Sequence, residues 1–145
     1  MREVYRDLQA RPIDRDCRLL TECCRFKLTG LTPYLTRGEA VVAALALRAV
    51  GSTTVAACED GACPLLNDEG RCRIYDARPF GCRTHFCGAA GGPYPRRQVL
   101  DLIRRLEAVD LQLGGDGAQA LPVAMQLAMQ RAGGRDENRH KKSKP

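Results

Sequence analysis

The segment that most constrains this chain is residues 52–94. It holds five of the eight cysteines, six glycines and three prolines, Pro64, Pro79 and Pro93. Regular structure is sparse in such a composition. An irregular stretch of that length inside a compact domain needs something other than an apolar core to organise it. Thiols are what the segment has in excess, and a bound metal would supply the missing order. The expected fold is therefore a small, single, metal-organised domain, mainly α, with an irregular, loop-rich cysteine segment in its middle.

The remaining sequence reads as helices around that segment. Val4 and Leu8 stand at helical spacing in a charged opening stretch that Pro12 breaks. Residues 17–35 read as loop with short ordered pieces. Thr36-Arg37-Gly38-Glu39 is a capping box, and the Ala/Val/Leu run behind it predicts a helix over about 36–50, stopped by Gly51. It is apolar nearly all round, so it is expected to be buried. A second flanking helix is predicted over 95–113, opened by Pro95, with Val99, Leu100, Ile103, Leu106 and Val109 as its apolar face. A third is predicted over 122–132, opened by Pro122 and stopped by Gly133-Gly134. The domain is expected to span 1–134, and 135–145 to be a disordered basic tail.

Charge and compartment narrow the use of the thiols. The longest clean apolar stretch, Ala40 to Leu47, is far shorter than the ~20 residues a membrane-spanning helix needs. The opening residues Met1-Arg2-Glu3-Val4-Tyr5-Arg6-Asp7 are charged and carry no apolar signal core, so a cytoplasmic location is expected. Thiols there stay reduced, which favours metal or redox work over disulfides. The net charge is +6, and from Arg135 onward five basic residues stand against two acidic ones. The body is thus only mildly basic, less than a nucleic-acid-binding face usually carries. Four thiolates around a divalent ion are net negative, and a mildly basic body offsets that.

The cysteines are Cys17, Cys23, Cys24, Cys58, Cys63, Cys72, Cys82 and Cys87. No C-x2-C pair occurs among them, which counts against zinc ribbons, thioredoxin-like motifs and the bacterial ferredoxin run. Neighbouring side chains such as Cys23 and Cys24 diverge in both helix and strand. Either one ligates while the other packs, or each serves a different metal. Eight buried small hydrophobes is the bland alternative.

The sequence also resembles a known family. The segments Cys23-Cys24-Arg25-Phe26, Thr36-x-x-Glu39, Cys63-Pro64-Leu65-Leu66 and Gly70-Arg71-Cys72-Arg73-Ile74-Tyr75-Asp76-Ala77-Arg78-Pro79-Phe80-Gly81-Cys82-Arg83 are similar to the YkgJ-type cysteine-cluster family. The likeness covers about residues 17–87. It implies a zinc- or iron-chelating domain, with Cys17, Cys23, Cys24, Cys63, Cys72 and Cys82 as core ligand candidates and Cys58 and Cys87 as second rank. Family members usually begin with a quartet of the form C-x2-C-G-x-C-C or C-x3-C-x2-C-C. Here Leu20 stands where the second cysteine of the first form would be, and Thr21 replaces its glycine. Cys58 or Cys87 is left to supply the replacement. His85, in Cys82-x2-His85-x-Cys87, offers a nitrogen donor.

Arginines crowd the motif: Arg25, Arg71, Arg73, Arg78 and Arg83. Cations near a thiol lower its pKa and favour metal binding. Arg78 and Arg83 are expected to support the centre by donating N–H groups to sulfur or fixing the ligand loop. The alternative is a solvated charge or a carboxylate partner such as Asp76. Pro79 holds Arg78 extended, and Tyr75 and Phe80 are expected to shield the site.

The reading is a metal-binding protein holding zinc or iron, an iron–sulfur cluster being a further form the same ligands fit. Its role is structural or in metal handling. An iron- or iron–sulfur-dependent enzyme or redox accessory is the alternative, and no conventional catalytic set is present. A metal-stabilised nucleic-acid-binding module, resting on the basic tail, is the third and is not favoured.

Overall fold

The computed structural model describes residues 1–12, 15, 17, 20–56 and 58–141, with side chains as far as residue 133. The rest of the basic tail, 142–145, lies outside the described residues. The fold is mainly α, with six helices among the described residues. They are α1 (Arg2–Gln9), α2 (Phe26–Thr29), α3 (Arg37–Ala49), α4 (Phe80–Thr84), α5 (Leu100–Gln112) and α6 (Leu121–Lys141). Strands β1 (Tyr34–Leu35) and β2 (Gln119–Ala120) pair antiparallel, Tyr34 opposite Ala120. This pair seats the start of α6 beside the start of α3, and the Leu121 amide donates to the Pro33 carbonyl at 2.8 Å.

Two apolar clusters hold these pieces. The first lies between α3 and α6, where Ala43, Ala44 and Leu47 meet Leu121, Met125 and Met129. Burying a side chain of the size of Leu47, Leu121 or Met125 contributes about 1.5–3 kcal/mol. Leu65 and Ile74 of the cysteine segment join this cluster, and Cys24, Cys72 and Cys82 pack against it. The second cluster joins α1 to α5 through Val4, Tyr5, Leu8, Leu102 and Leu106, together with Phe80. The short helix α4 therefore bridges the seam: Phe80 faces one cluster and Cys82 the other.

The capping box of α3 forms as the sequence predicts. The Thr36 amide donates to Glu39 Oε2 at 3.0 Å, and Gly51 beyond the helix end takes φ 86°. Other expectations need correction. α3 is not buried all round: Val41 and Leu45 are 38% and 57% exposed, because only the Ala40-Ala43-Ala44-Leu47 face meets α6. Pro95 opens a 3₁₀ turn (Arg96–Gln98) and not α5 itself. Val99, at φ −128° and ψ 9°, separates the two, so α5 begins at Leu100. Leu102 is buried at the centre of its apolar face, while Leu100, Ile103 and Val109 are half-buried. Finally, α6 runs through Gly133-Gly134 to Lys141. Gly133 does not adopt the left-handed backbone by which glycine ends a helix.

Candidate metal centre

Local structure brings the separated cysteines together. Cys23 and Cys24 lie in a 3₁₀ turn (Glu22–Cys24). The Cys63 amide donates to the Cys24 carbonyl at 2.7 Å, and Arg25 bridges Ala62 in antiparallel sense, so the first cysteine pair is stitched to Cys63 by backbone alone. A turn over Asn67–Gly70 folds Cys72 back beside Leu66. Cys82 is placed by α4, whose first amide, that of Phe80, donates to Glu39 Oε1 at 2.7 Å. The same carboxylate thus closes the cap of α3 and anchors the helix carrying Cys82.

Seven of the eight cysteines line one cavity of ≈ 670 Å³: Cys17, Cys23, Cys24, Cys63, Cys72, Cys82 and Cys87, joined by His85. Cys58 does not; it is exposed, with its sulfur 3.8 Å from the Cys63 carbonyl. Both neighbours of the vicinal pair reach the cavity, their sulfurs 4.0 Å apart. That is close to the ~3.8 Å edge of a tetrahedron with metal–sulfur bonds of ~2.3 Å. Among the described residues no three Cys, His, Asp or Glu side chains are already gathered as a metal site. The thiols ring the space without closing on a point. The donor set suits a thiophilic ion, and the sulfurs would have to draw inward to hold one.

Electrostatics separate the thiols. The Cys24 thiol, acting as donor, lowers Cys23 to about 6, and the Arg78 guanidinium adds to this. Cys24 is pushed up in return, first by that hydrogen bond and then by burial. Burial pushes Cys63 up to about 12 and also raises Cys72 and Cys82, the last further by the neighbouring thiols. A metal would therefore find one thiolate and displace protons from the others. In metal-free protein Cys23 is expected to alkylate ahead of Cys63, Cys72 and Cys82, at a rate flat from pH 9 to 7 and halved near pH 6. Peptide mapping of iodoacetamide-treated protein measures this; a Cys23 rate falling about tenfold per pH unit from pH 9 downward contradicts it.

The two motif arginines act differently. Arg83 is buried and fastens the ligand loop: its Nε donates to the Arg78 carbonyl at 2.7 Å and its Nη2 to the Asp76 carbonyl. The Asp76 backbone, not its carboxylate, is the partner. Arg83 also stacks 4.5 Å over the ring of Tyr5. Arg78 lies 3.7 Å over the ring of Tyr75, and its buried Nε has no hydrogen-bond partner. Its charge lowers Cys23, Cys72 and Cys82. Of the other arginines, Arg25 pairs with Asp60 at 3.5 Å, and Arg73 donates to Ser52 Oγ at 2.7 Å and to the Pro64 carbonyl at 2.9 Å. Tyr75 lines the cavity and interacts with the Cys17 thiol. Phe80 does not line it, since it turns into the α1–α5 cluster. Tyr5 is not legible from sequence as part of this support; its hydroxyl donates to Glu39 Oε1 at 3.4 Å, across 34 residues, and no local pattern announces such a contact.

The departure at Leu20-Thr21 has a structural consequence. Thr21 takes φ 54°, the left-handed region, at the position where the usual form of the motif has glycine. An L-residue there costs about 1–2 kcal/mol, partly offset because glycine loses more freedom on folding. Thr21→Gly is expected to stabilise the fold by about 0.5–1 kcal/mol, read as a higher urea midpoint. An unchanged or lower midpoint would show that Thr21 carries no such strain. Leu20 lines the cavity, half-exposed, and offers no donor.

Fold and site together define a class: a small helical domain built around a cavity lined with thiols. Residues 15–98 match the CxxCxxCC family, described as "Putative zinc- or iron-chelating domain". The chain belongs to that family, and metal binding is the property the family assigns to it. No curated protein and no solved structure matches the chain. No helix among the described residues is long and apolar enough to cross a membrane.

Proposed function

We propose that this protein holds zinc or iron through cysteine thiolates that converge on the cavity, with Cys17, Cys23, Cys24, Cys63, Cys72 and Cys82 as ligands. The observation that carries this reading is the convergence itself: cysteines spread from position 17 to position 87 line one space. Chance burial of small hydrophobes does not account for it, because most of these residues are only partly buried. Bound there, the ion would tie the Cys23-Cys24 turn, the Cys63–Cys72 turn and α4 into one unit. Arg78 supplies compensating charge, and Arg83 holds the loop between Cys72 and Cys82 in shape. The role is structural or in metal handling.

A second reading, an iron-dependent enzyme or redox accessory, is favoured by the size of the cavity, which exceeds the volume of one ion and leaves room for a cluster or a small ligand. One anaerobic preparation separates the two. Elemental analysis, acid-labile sulfide and visible absorption are measured together. Zinc without sulfide or colour supports the first reading. Iron with a band that bleaches on reduction supports the second. Protein with neither metal, prepared anaerobically, contradicts both.

A further inference from the structure

We propose that Cys87 supplies the thiolate that this chain lacks at position 20; the inference rests on the metal-centre reading above. Two cysteines are left over from the core set, and the structure separates them. Cys58 is exposed and stands off the cavity, its sulfur turned to the Cys63 carbonyl at 3.8 Å. Cys87 and Leu20 line the same cavity, so a thiol is offered to the space where the leucine offers none.

The backbone explains why the substitute comes from this segment. Arg15, two residues before Cys17 in sequence, is fastened to the loop that follows Cys87. Arg15 Nε donates to the Gly92 carbonyl at 2.8 Å and the Gly91 carbonyl at 3.2 Å. Its guanidinium lies 4.9 Å over the ring of Tyr94, whose hydroxyl donates to the Pro12 carbonyl at 3.4 Å. Two points that precede the incomplete Cys17-x2-Leu20 motif in sequence, Pro12 and Arg15, are thus tied to the loop after Cys87. Cys87 is held in turn: its carbonyl accepts from the Ala90 amide at 2.9 Å and the Gly92 amide at 3.1 Å. A ligand on a fixed backbone is pre-organised and loses little freedom when it binds. His85 lines the cavity too and is the competing donor.

The test compares wild type with Cys87→Ser, Cys58→Ser, His85→Asn and the double variant Leu20→Cys/Cys87→Ser, all prepared anaerobically. Zinc affinity is read by competition with a chromophoric chelator, and thiolate ligation by the near-ultraviolet charge-transfer band of the cobalt-substituted protein. Cys87→Ser is expected to weaken zinc binding by about tenfold or more and to diminish the cobalt band. The double variant is expected to regain both, and Cys58→Ser to stay within about twofold of wild type. The double variant also guards against misfolding of the single one, because it restores a thiol without restoring Cys87. Wild-type affinity in Cys87→Ser overturns the proposal, including the case in which His85→Asn is the variant that loses metal. So does a double variant that regains nothing. Wild-type protein that binds none of zinc, cobalt and iron defeats the metal-centre reading itself, a distinct result.

Discussion

Glu39→Ala is expected to lower folding stability by about 3–5 kcal/mol, the scale of stripping a buried polar network of its central acceptor. The Glu39 side chain is buried between the two apolar clusters and accepts from four donors. These are the Thr36 amide at 3.0 Å, the Thr36 hydroxyl at 2.8 Å, the Phe80 amide at 2.7 Å and the Tyr5 hydroxyl at 3.4 Å. Truncation leaves those donors in a space water does not readily reach, and each unsatisfied one costs about 1–3 kcal/mol. Urea unfolding measures the loss; a change below about 1 kcal/mol would contradict this account of the network. Glu39→Gln keeps an acceptor and should lose less. Burial, outweighing the hydrogen bonds, raises the Glu39 carboxyl above the ordinary carboxylate range. The folded state therefore holds this proton more tightly than the unfolded chain. The linked stability is complete below the unfolded pKa and is lost as pH rises through the folded one. The stability difference between wild type and Glu39→Gln should accordingly shrink as pH rises through that window.

Loading zinc or iron is expected to raise the melting temperature by on the order of 10 °C, and chelation to reverse the rise. A ligand present at about a thousand times its Kd stabilises the state that binds it by about 4 kcal/mol. In a domain of this size each kcal/mol moves the melting temperature by roughly 2–8 °C. The gain should fall unevenly. The α3–α6 cluster rests on Leu47, Leu121, Met125 and their neighbours and is largely built without the thiols. The cysteine segment has short turns, the five-residue helix α4 and a few anchors, among them Leu65 and Ile74. Metal-free protein is therefore expected to keep most of its helical circular dichroism while residues 58–92 exchange amide protons faster. Thermal stability that is unchanged after verified metal removal contradicts a structural role for the ion.

What is legible in the sequence depends on whether the physics is local. The α3 cap is readable because Thr36 and Glu39 are three residues apart and serve each other's backbone. The bond from the same glutamate to the Phe80 amide spans 41 positions, and nothing local marks it. Pro95 signals a helix start correctly in kind, but the buried side chain of Val99 sets the backbone that delays α5. Gly133-Gly134 reads as a stop, yet glycine ends a helix only where the chain turns left-handed, and Gly133 does not. At the candidate centre, spacing and family resemblance nominate the thiols. Only the fold shows Cys58 outside the cavity and Cys87 and His85 on its lining. Arginine density hints at electrostatic support without dividing the labour. Arg83 fastens backbone carbonyls, while Arg78 keeps a buried, unpartnered Nε beside the thiols.

Every role proposed for the cavity depends on cysteine sulfur binding the metal. X-ray absorption at the metal edge of anaerobically prepared, metal-loaded protein tests it most directly. The expected first shell is dominated by sulfur at about 2.3 Å, three or more per metal. A shell of only nitrogen and oxygen at about 2.0–2.2 Å would contradict it.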